Sequence, residues 1–280
     1  MSKNSEKIMS KRILGPKALL KEAIKYILTY HYRILTPTKQ RHDDLYLVSF
    51  PKSGNTWLSF LMANIHLKMS GISCEVNFFN IHDFIPDIHS SRNLRRDILL
   101  FPGYRVIKSH SEFNPFYRKV IYLVRDPRDV MVSYYWFLKN LGSFNESLSK
   151  LIRSPLFGIS AWCRHVQGWV EKTPASVSID FVRYEDLKAN PGKVLTRLYK
   201  LLGHTIPDDI LEECIRVSSY ENMKKLEEFY NYGGDMRFPN LEFMRKGQSG
   251  SYKSDLSKED ISFINKTASR WMSIFRYAEL

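Results

Sequence analysis

Apolar residues fall in two rhythms along the chain. Short apolar-rich stretches at about 44–50, Tyr104–Lys108, Lys119–Val124 and Val177–Val182 read as strands, and Lys119–Val124 is continuous and β-rich as a buried parallel strand should be. Between them the apolar positions recur every three or four residues, which predicts helices at about 56–69, 130–139, 160–171, 191–202, 207–216, 220–230 and 258–275. Gly71 and Gly203 supply stop signals. Pro16 opens an earlier amphipathic helix carrying Leu19, Leu20, Ile24, Ile27 and Leu28, behind a flexible tail over 1–14. Strands alternating with helices predict one α/β domain over 1–280, built on a central, mainly parallel sheet flanked by helices. The mixed stretch 73–101 has the make-up of a ligand-covering wall.

In open α/β sheets, ligands bind beyond the carboxyl ends of the strands. The first strand runs into Pro51-Lys52-Ser53-Gly54-Asn55-Thr56-Trp57. This strand, tight loop and helix offer a lysine, two hydroxyls, a glycine and a helix N-terminus, a suitable cradle for phosphate. The second strand ends at Lys108 and His110, the third at Arg125 and Arg128, the fourth at Tyr184. Three of the four ends carry cations and one a histidine, which describes an anion site with a titratable base beside it. His82 and His89, in the presumed wall, compete with His110 for that role. Asp126, Asp129, Glu185 and Asp186 read as caps and ion-pair partners of the arginines, and Tyr134, Tyr135 and Trp136 as core.

The net charge of +13 fits a polyanionic ligand. Part of it is local, since ten Lys or Arg before residue 42 face only Glu6 and Glu22. The first helix therefore has a basic face, which suits either packing on the core or an anionic membrane. No basic-aromatic stripe, helix-turn-helix or zinc-finger spacing points to nucleic acid. The three cysteines, Cys74, Cys163 and Cys214, have no metal or disulfide spacing and favour a reducing compartment. With no signal-like start and no run of eighteen apolar residues, a cytoplasmic protein without a transmembrane segment is expected. The first loop is not a Walker A sequence, and no dinucleotide fingerprint occurs.

PKSGNTW after a strand, KSH after the next, then VRDPRDVMVSYY, RYEDL and FMRKGQSG resemble the cytosolic-type sulfotransferases, in the family's order and from about residue 44 to 253. The resemblance implies the sulfotransferase variant of the P-loop kinase-like fold and the donor 3'-phosphoadenosine 5'-phosphosulfate (PAPS), with no metal. It implies that Lys52, Ser53, Gly54, Asn55, Thr56 and Trp57 hold the phosphosulfate end, with Trp57 stacking near the adenine. Arg125 and Ser133 would grip the 3'-phosphate, and Arg245, Lys246 and Gly247 would close over it. Tyr184, Ser218, Ser219 and Tyr220 would line the adenine pocket. His110 would be the general base towards a small-molecule acceptor, a hydroxyl or an amine, and Lys108 would help hold the sulfuryl oxygens.

Some positions depart from the family. Ser111-Glu112 stands where many relatives have Leu-Pro, Tyr220 where Phe is more frequent, and Ser251-Tyr252 where Asp and Trp are frequent. A dimer motif is only partly echoed by Lys253 and Ser257, and no oligomeric state follows. The modest 68–103 insertion is similar to that of shorter bacterial members, many of which work on secondary metabolites. Phe78, Phe79, Phe84, Phe229, Tyr230 and Tyr232 favour a flat or apolar acceptor, whereas Asp83, Asp87, Glu112 and Asp235 suit a cationic one such as a guanidinium alkaloid. The competing functions are a small-molecule kinase of related fold and a catalytically inactive nucleotide-binding or membrane-surface module.

Overall fold

A computed structural model of the protein describes residues 41, 43–88, 103–229, 244 and 247–277. The tail, the basic helix after Pro16, His89, Tyr230, Tyr232, Asp235, Arg245 and Lys246 lie outside the described residues. The described residues belong to one compact unit spanning 39–280.

Four strands, β1 (Leu45–Val48), β2 (Val106–Ser109), β3 (Lys119–Val124) and β4 (Ser178–Arg183), form a parallel sheet in the order β2-β1-β3-β4. Parallel pairing puts all four carboxyl ends on one edge. Val48 stands opposite both Ser109 and Tyr122, and Val124 opposite Arg183. The chain runs outward from β1 to β2 and then to the other side through β3 and β4. The order reverses between β1 and β3, where a crevice is expected.

Side-chain alternation divides the core in two. Tyr46, Val48, Val120, Tyr122 and Val124 pack with α3 (Pro127–Asn140), α4 (Leu148–Arg153), α5 (Ile159–Glu171) and α11 (Lys258–Ile274). Leu45, Leu47, Ile121 and Leu123 pack with α1 (Asn55–Met69), α7 (Pro191–Leu201) and α8 (Asp208–Val217). Both faces of β1 and β3 are covered, which is why those strands read as apolar runs, whereas the edge strand β4 is largely half-buried and carries Asp180 paired with Arg197.

Several boundaries differ from the sequence expectation. α3 starts at Pro127 and not at Val130, because the Asp126 side chain accepts the Arg128 N–H and proline suits the first helical position. β2 begins two residues late, and Arg105 before it is buried in a two-pronged pair with Asp44 at 2.9 and 2.8 Å. Beyond the predicted helices there are four short ones, α2 (Ile81–Phe84), α4, α6 (Tyr184–Ala189) and α10 (Tyr252–Asp255); α9 is Tyr220–Phe229. Pieces of four to six residues show too little periodicity to be read from a pattern. Among the described residues no helix is long and apolar enough to cross a membrane.

Two core histidines tie stability to pH. Burial pushes the His66 imidazole down to about 3 and His165 down to about 4. Both are held neutral in the folded chain, whereas the unfolded chain protonates them near pH 6.5. Their contribution is complete above that pH and is lost as pH falls towards the folded values. Between pH 7 and 5 each should cost about 2 kcal/mol of stability. Urea unfolding of the wild type and His165→Gln at the two pH values should show a smaller acid loss in the variant; equal losses would show that His165 is not one of the groups responsible.

Candidate active site

The loop after β1 has the backbone of an anion cradle. Lys52 adopts φ 66 and Gly54 φ 98. A non-glycine residue in the left-handed region carries roughly 1 kcal/mol of strain. Gly54 cannot be replaced easily, since a Cβ would stand 2.5 Å from the Tyr184 ring. As N-cap of α1, Gly54 offers no side-chain acceptor to the first-turn N–H groups, and no acidic residue occupies that turn. The Ser53 hydroxyl is buried without a hydrogen-bond partner among the described residues. Unsatisfied donors around a positive helix end suit a bound phosphate-type oxygen. The Lys52 ammonium lies 4.5 Å over the Phe137 ring.

Asn55 has another role for its side chain. It points inward and donates to the Leu47 carbonyl at 2.9 Å and to Ser49 Oγ at 3.2 Å, fastening the first turn of α1 to the end of β1. Thr56, half-buried, follows it in the same turn.

His110, one residue past β2, reaches across to the cradle. Its Nδ1 lies 2.9 Å from the Ser49 carbonyl and 3.3 Å from Ser49 Oγ. A carbonyl can only accept, so Nδ1 carries the proton and the basic lone pair of the neutral ring sits on Nε2. The backbone on either side of His110 is braced by buried polar groups. Ser109 Oγ donates to Ser111 Oγ at 2.9 Å and lies 3.2 Å from the Tyr117 hydroxyl, and the Trp169 indole donates to the Ser111 carbonyl at 3.1 Å. His165 packs beneath, 2.8 Å from the Tyr122 hydroxyl.

Lys108, on β2, has an acidic neighbour. Its ammonium pairs with Asp87 at 3.2 Å, while its backbone bonds to Pro86 and Ile88. His82 lies close to it. Burial, and then the Lys108 charge, push that imidazole below its ordinary range, and its Nδ1 lies 3.3 Å from the Ile85 carbonyl.

Arg125 follows β3, directly beside the cradle loop. Its guanidinium rests 4.4 Å over the Tyr184 ring and donates to the carbonyls of Lys52 at 3.4 Å and Gln248 at 3.1 Å. Its Nε is buried and without a partner among the described residues, so a donor remains for an anion. Ser133 lies half-buried two turns along α3. Arg128 pairs with Asp126 at 2.7 Å and stacks 4.5 Å over Tyr252, and its Nη1 is likewise buried without a partner among the described residues.

The residues expected around a purine do meet. The Trp57 indole donates to the Ser218 carbonyl at 2.8 Å, and its ring meets Tyr184 edge-on at 5.7 Å. Ser218 turns its hydroxyl to Asn64 at 3.1 Å, and Ser219 accepts the Asn222 N–H at 3.3 Å as a cap of α9. Tyr220 packs on Gly247, whose φ is 58 and whose added Cβ would fall 2.2 Å from the ring.

Sequence reasoning missed Lys188 and the Gln248 carbonyl that accepts from Arg125. The Lys188 ammonium donates to the Gly247 carbonyl, and burial, then the Arg125 charge, lower its pKa. A lysine at the end of an unpredicted short helix gave no signal. Among the described residues no group of three or more His, Cys, Asp or Glu is arranged for a metal.

A family model described as "Sulfotransferase domain" matches residues 42–276. Sulfotransferase 1 family member D1 of Mus musculus is 30% identical over 251 residues, covering 81% of this chain and 82% of that protein. Sulfotransferase 1B1 of Canis lupus familiaris is 27% identical over 274 residues, covering 86% and 90%. A mouse sulfotransferase solved in complex with PAP shares the fold, with TM-score 0.63 at 20% identity, over 87% of this chain and 90% of that one. With a helix-flanked parallel sheet and a cradle at its carboxyl edge, the chain belongs to the cytosolic-type sulfotransferase family.

Proposed function

We propose that the protein moves a sulfuryl group from PAPS to the hydroxyl of a small, apolar, ring-bearing acceptor, with His110 as general base. One observation carries the reading most of the way: the His110 ring is hydrogen-bonded to Ser49 at 2.9 Å, so a base with its lone pair on Nε2 stands three residues from the head of the anion cradle. The donor supplies an activated sulfuryl group on a phosphate leaving group. Ser53 Oγ, the first-turn N–H groups of α1 and Lys52 would hold that end, and Lys52 would balance the charge that builds on the leaving oxygen. Arg125, with Lys188 close enough to feel its charge and Ser133 two turns along α3, would take the 3'-phosphate. Trp57, Tyr184 and Tyr220 offer aromatic surfaces to the purine. His110 would accept the acceptor's proton as the oxygen attacks sulfur.

The placement of the competing groups supports an apolar acceptor over a cationic one. Of the four acids that would suit a cationic acceptor, Asp87 is paired with Lys108, Glu112 faces solvent, Asp83 is half-buried, and Asp235 lies outside the described residues. Not every aromatic expected to favour an apolar acceptor lines a site, because Phe78 is core against Phe60, and Phe79 and Phe229 are 63% and 80% exposed. Phe137, beside the Lys52 ammonium, and Phe113, three residues after His110, would supply apolar surface instead. Both are partly buried.

Thermal shift with adenosine 3',5'-bisphosphate, followed by turnover with [35S]PAPS and a panel of phenols, alcohols and guanidinium compounds, tests the proposal. Stabilisation by the bisphosphate without Mg²⁺ and labelling of phenols or alcohols are expected. A shift with ATP and Mg²⁺ but none with the bisphosphate would make the chain a kinase. Labelling confined to guanidinium compounds would overturn the acceptor class, and bisphosphate binding without any labelling would favour an inactive module.

A further inference from the structure

Asp129 stands in the first turn of α3, where a carboxylate ordinarily serves the helix N-terminus. Asp126 already fills that role, accepting the Arg128 N–H at 2.9 Å. Asp129 is turned the other way, and its side chain is fully buried against residues 250–252. Its Oδ2 accepts the Gly250 N–H at 2.7 Å, and its Oδ1 accepts the Tyr252 N–H at 3.0 Å and the Ser251 hydroxyl at 3.3 Å. Three donors converging on a buried carboxylate make a strong, directional tie.

The segment so tied reaches Arg125. Gln248, two residues before Gly250, gives its carbonyl to Arg125 Nη2, and Asp129 Oδ2 itself stands 3.9 Å from the same nitrogen. Gly247 at the head of the segment is clamped against the Tyr220 ring and accepts from Lys188. The Tyr184 face supports the guanidinium from one side without fixing its rotation in the plane. That rotation is set by the acceptors at its edge, namely the carbonyls of Lys52 and Gln248 and the Asp129 carboxylate.

We propose that Asp129 is a positioning residue for the 3'-phosphate end of the site: it anchors the 248–252 strap and thereby aims Arg125. The inference rests on the reading that Arg125 grips the 3'-phosphate, and it adds the device that orients the grip. An acid here does not repel the ligand, because its lone pairs are taken up by three strap donors and its charge is offset by Arg125.

Calorimetric binding of adenosine 3',5'-bisphosphate and of adenosine 5'-phosphate separates this role from general support of the fold. In Asp129→Asn one carboxylate oxygen becomes a donor facing strap N–H groups. The bisphosphate should bind about tenfold more weakly, while the monophosphate changes by less than about twofold. Ser251→Ala, which removes one strap bond and leaves Asp129 in place, should weaken the bisphosphate selectively by about twofold. It decides the matter if the asparagine variant does not fold. Arg125→Ala should abolish the preference for the bisphosphate; a preference left intact there refutes the underlying reading of Arg125. If Arg125→Ala abolishes it while Asp129→Asn and Ser251→Ala leave it unchanged, or weaken both ligands equally, the positioning role is overturned.

Discussion

Replacing His110 by alanine should lower kcat by about 10³-fold while leaving adenosine 3',5'-bisphosphate affinity within about twofold. The Nδ1 hydrogen bond to Ser49 fixes both tautomer and ring direction, so the proton-accepting atom is Nε2. Removing the ring would take away the proposed acceptor of the substrate proton and leave Ser53, Arg125, Trp57 and Tyr184 where they are. Rapid-quench turnover with [35S]PAPS, alongside calorimetry, reads the two quantities separately. Partial recovery with added imidazole would identify the missing group as a base. Full activity in the variant would move the role elsewhere. His82 is the poorer candidate on this geometry: burial and Lys108 depress its affinity for a proton, and its ring is turned to the Ile85 carbonyl.

The parts of the site closest in sequence were the easiest to read. β1, the 51–54 loop and α1 follow one another, so an apolar run, a glycine and a periodic helix were enough to place the cradle. Buried parallel strands are apolar on both faces, which made β3 legible to the residue; β2 slipped because Tyr104 and Arg105 look like strand but serve an ion pair and ring packing. Position past a strand favours His110 over its seven histidine competitors, His82 and His89 among them, but only folding brings Ser49 to its ring, 61 residues away in sequence. The Trp57 bond to Ser218 spans 161 residues, and the Asp129 bond to Gly250 spans 121. No local pattern encodes such pairs. Asp129 was read as a partner of arginine, and the strap it holds belongs to a Gly/Ser stretch with no periodicity. Aromatics were the least legible: Phe78 and Phe79 are neighbours of identical type, and one is core while the other faces solvent.

Lys52 is where stability and chemistry should pull apart. Its left-handed backbone, φ 66, is one a glycine would adopt without strain, so the lysine is retained at a local cost. Lys52→Gly should therefore raise Tm or leave it unchanged, since relief of about 1 kcal/mol offsets the glycine's extra unfolded-state entropy. In the same variant, and in Lys52→Ala, kcat should fall by about 10² to 10³-fold, the size expected when a charge aimed at a developing oxyanion is removed. Bisphosphate affinity should fall less, by about tenfold, because Ser53, the α1 N-terminus and Arg125 remain. The ratio of the two losses is diagnostic. An interaction stronger in the transition state than in the ground state depresses kcat beyond its effect on binding, whereas a simple counter-ion depresses binding alone. If single-turnover rates at saturating PAPS are the same in Lys52→Ala and wild type, Lys52 is only a clamp. The strained loop would then have to be explained by the shape of the cradle: with φ 66 at Lys52 and 98 at Gly54, two nearby left-handed residues turn the chain sharply enough to bring Ser53 and the first turn of α1 to a single point.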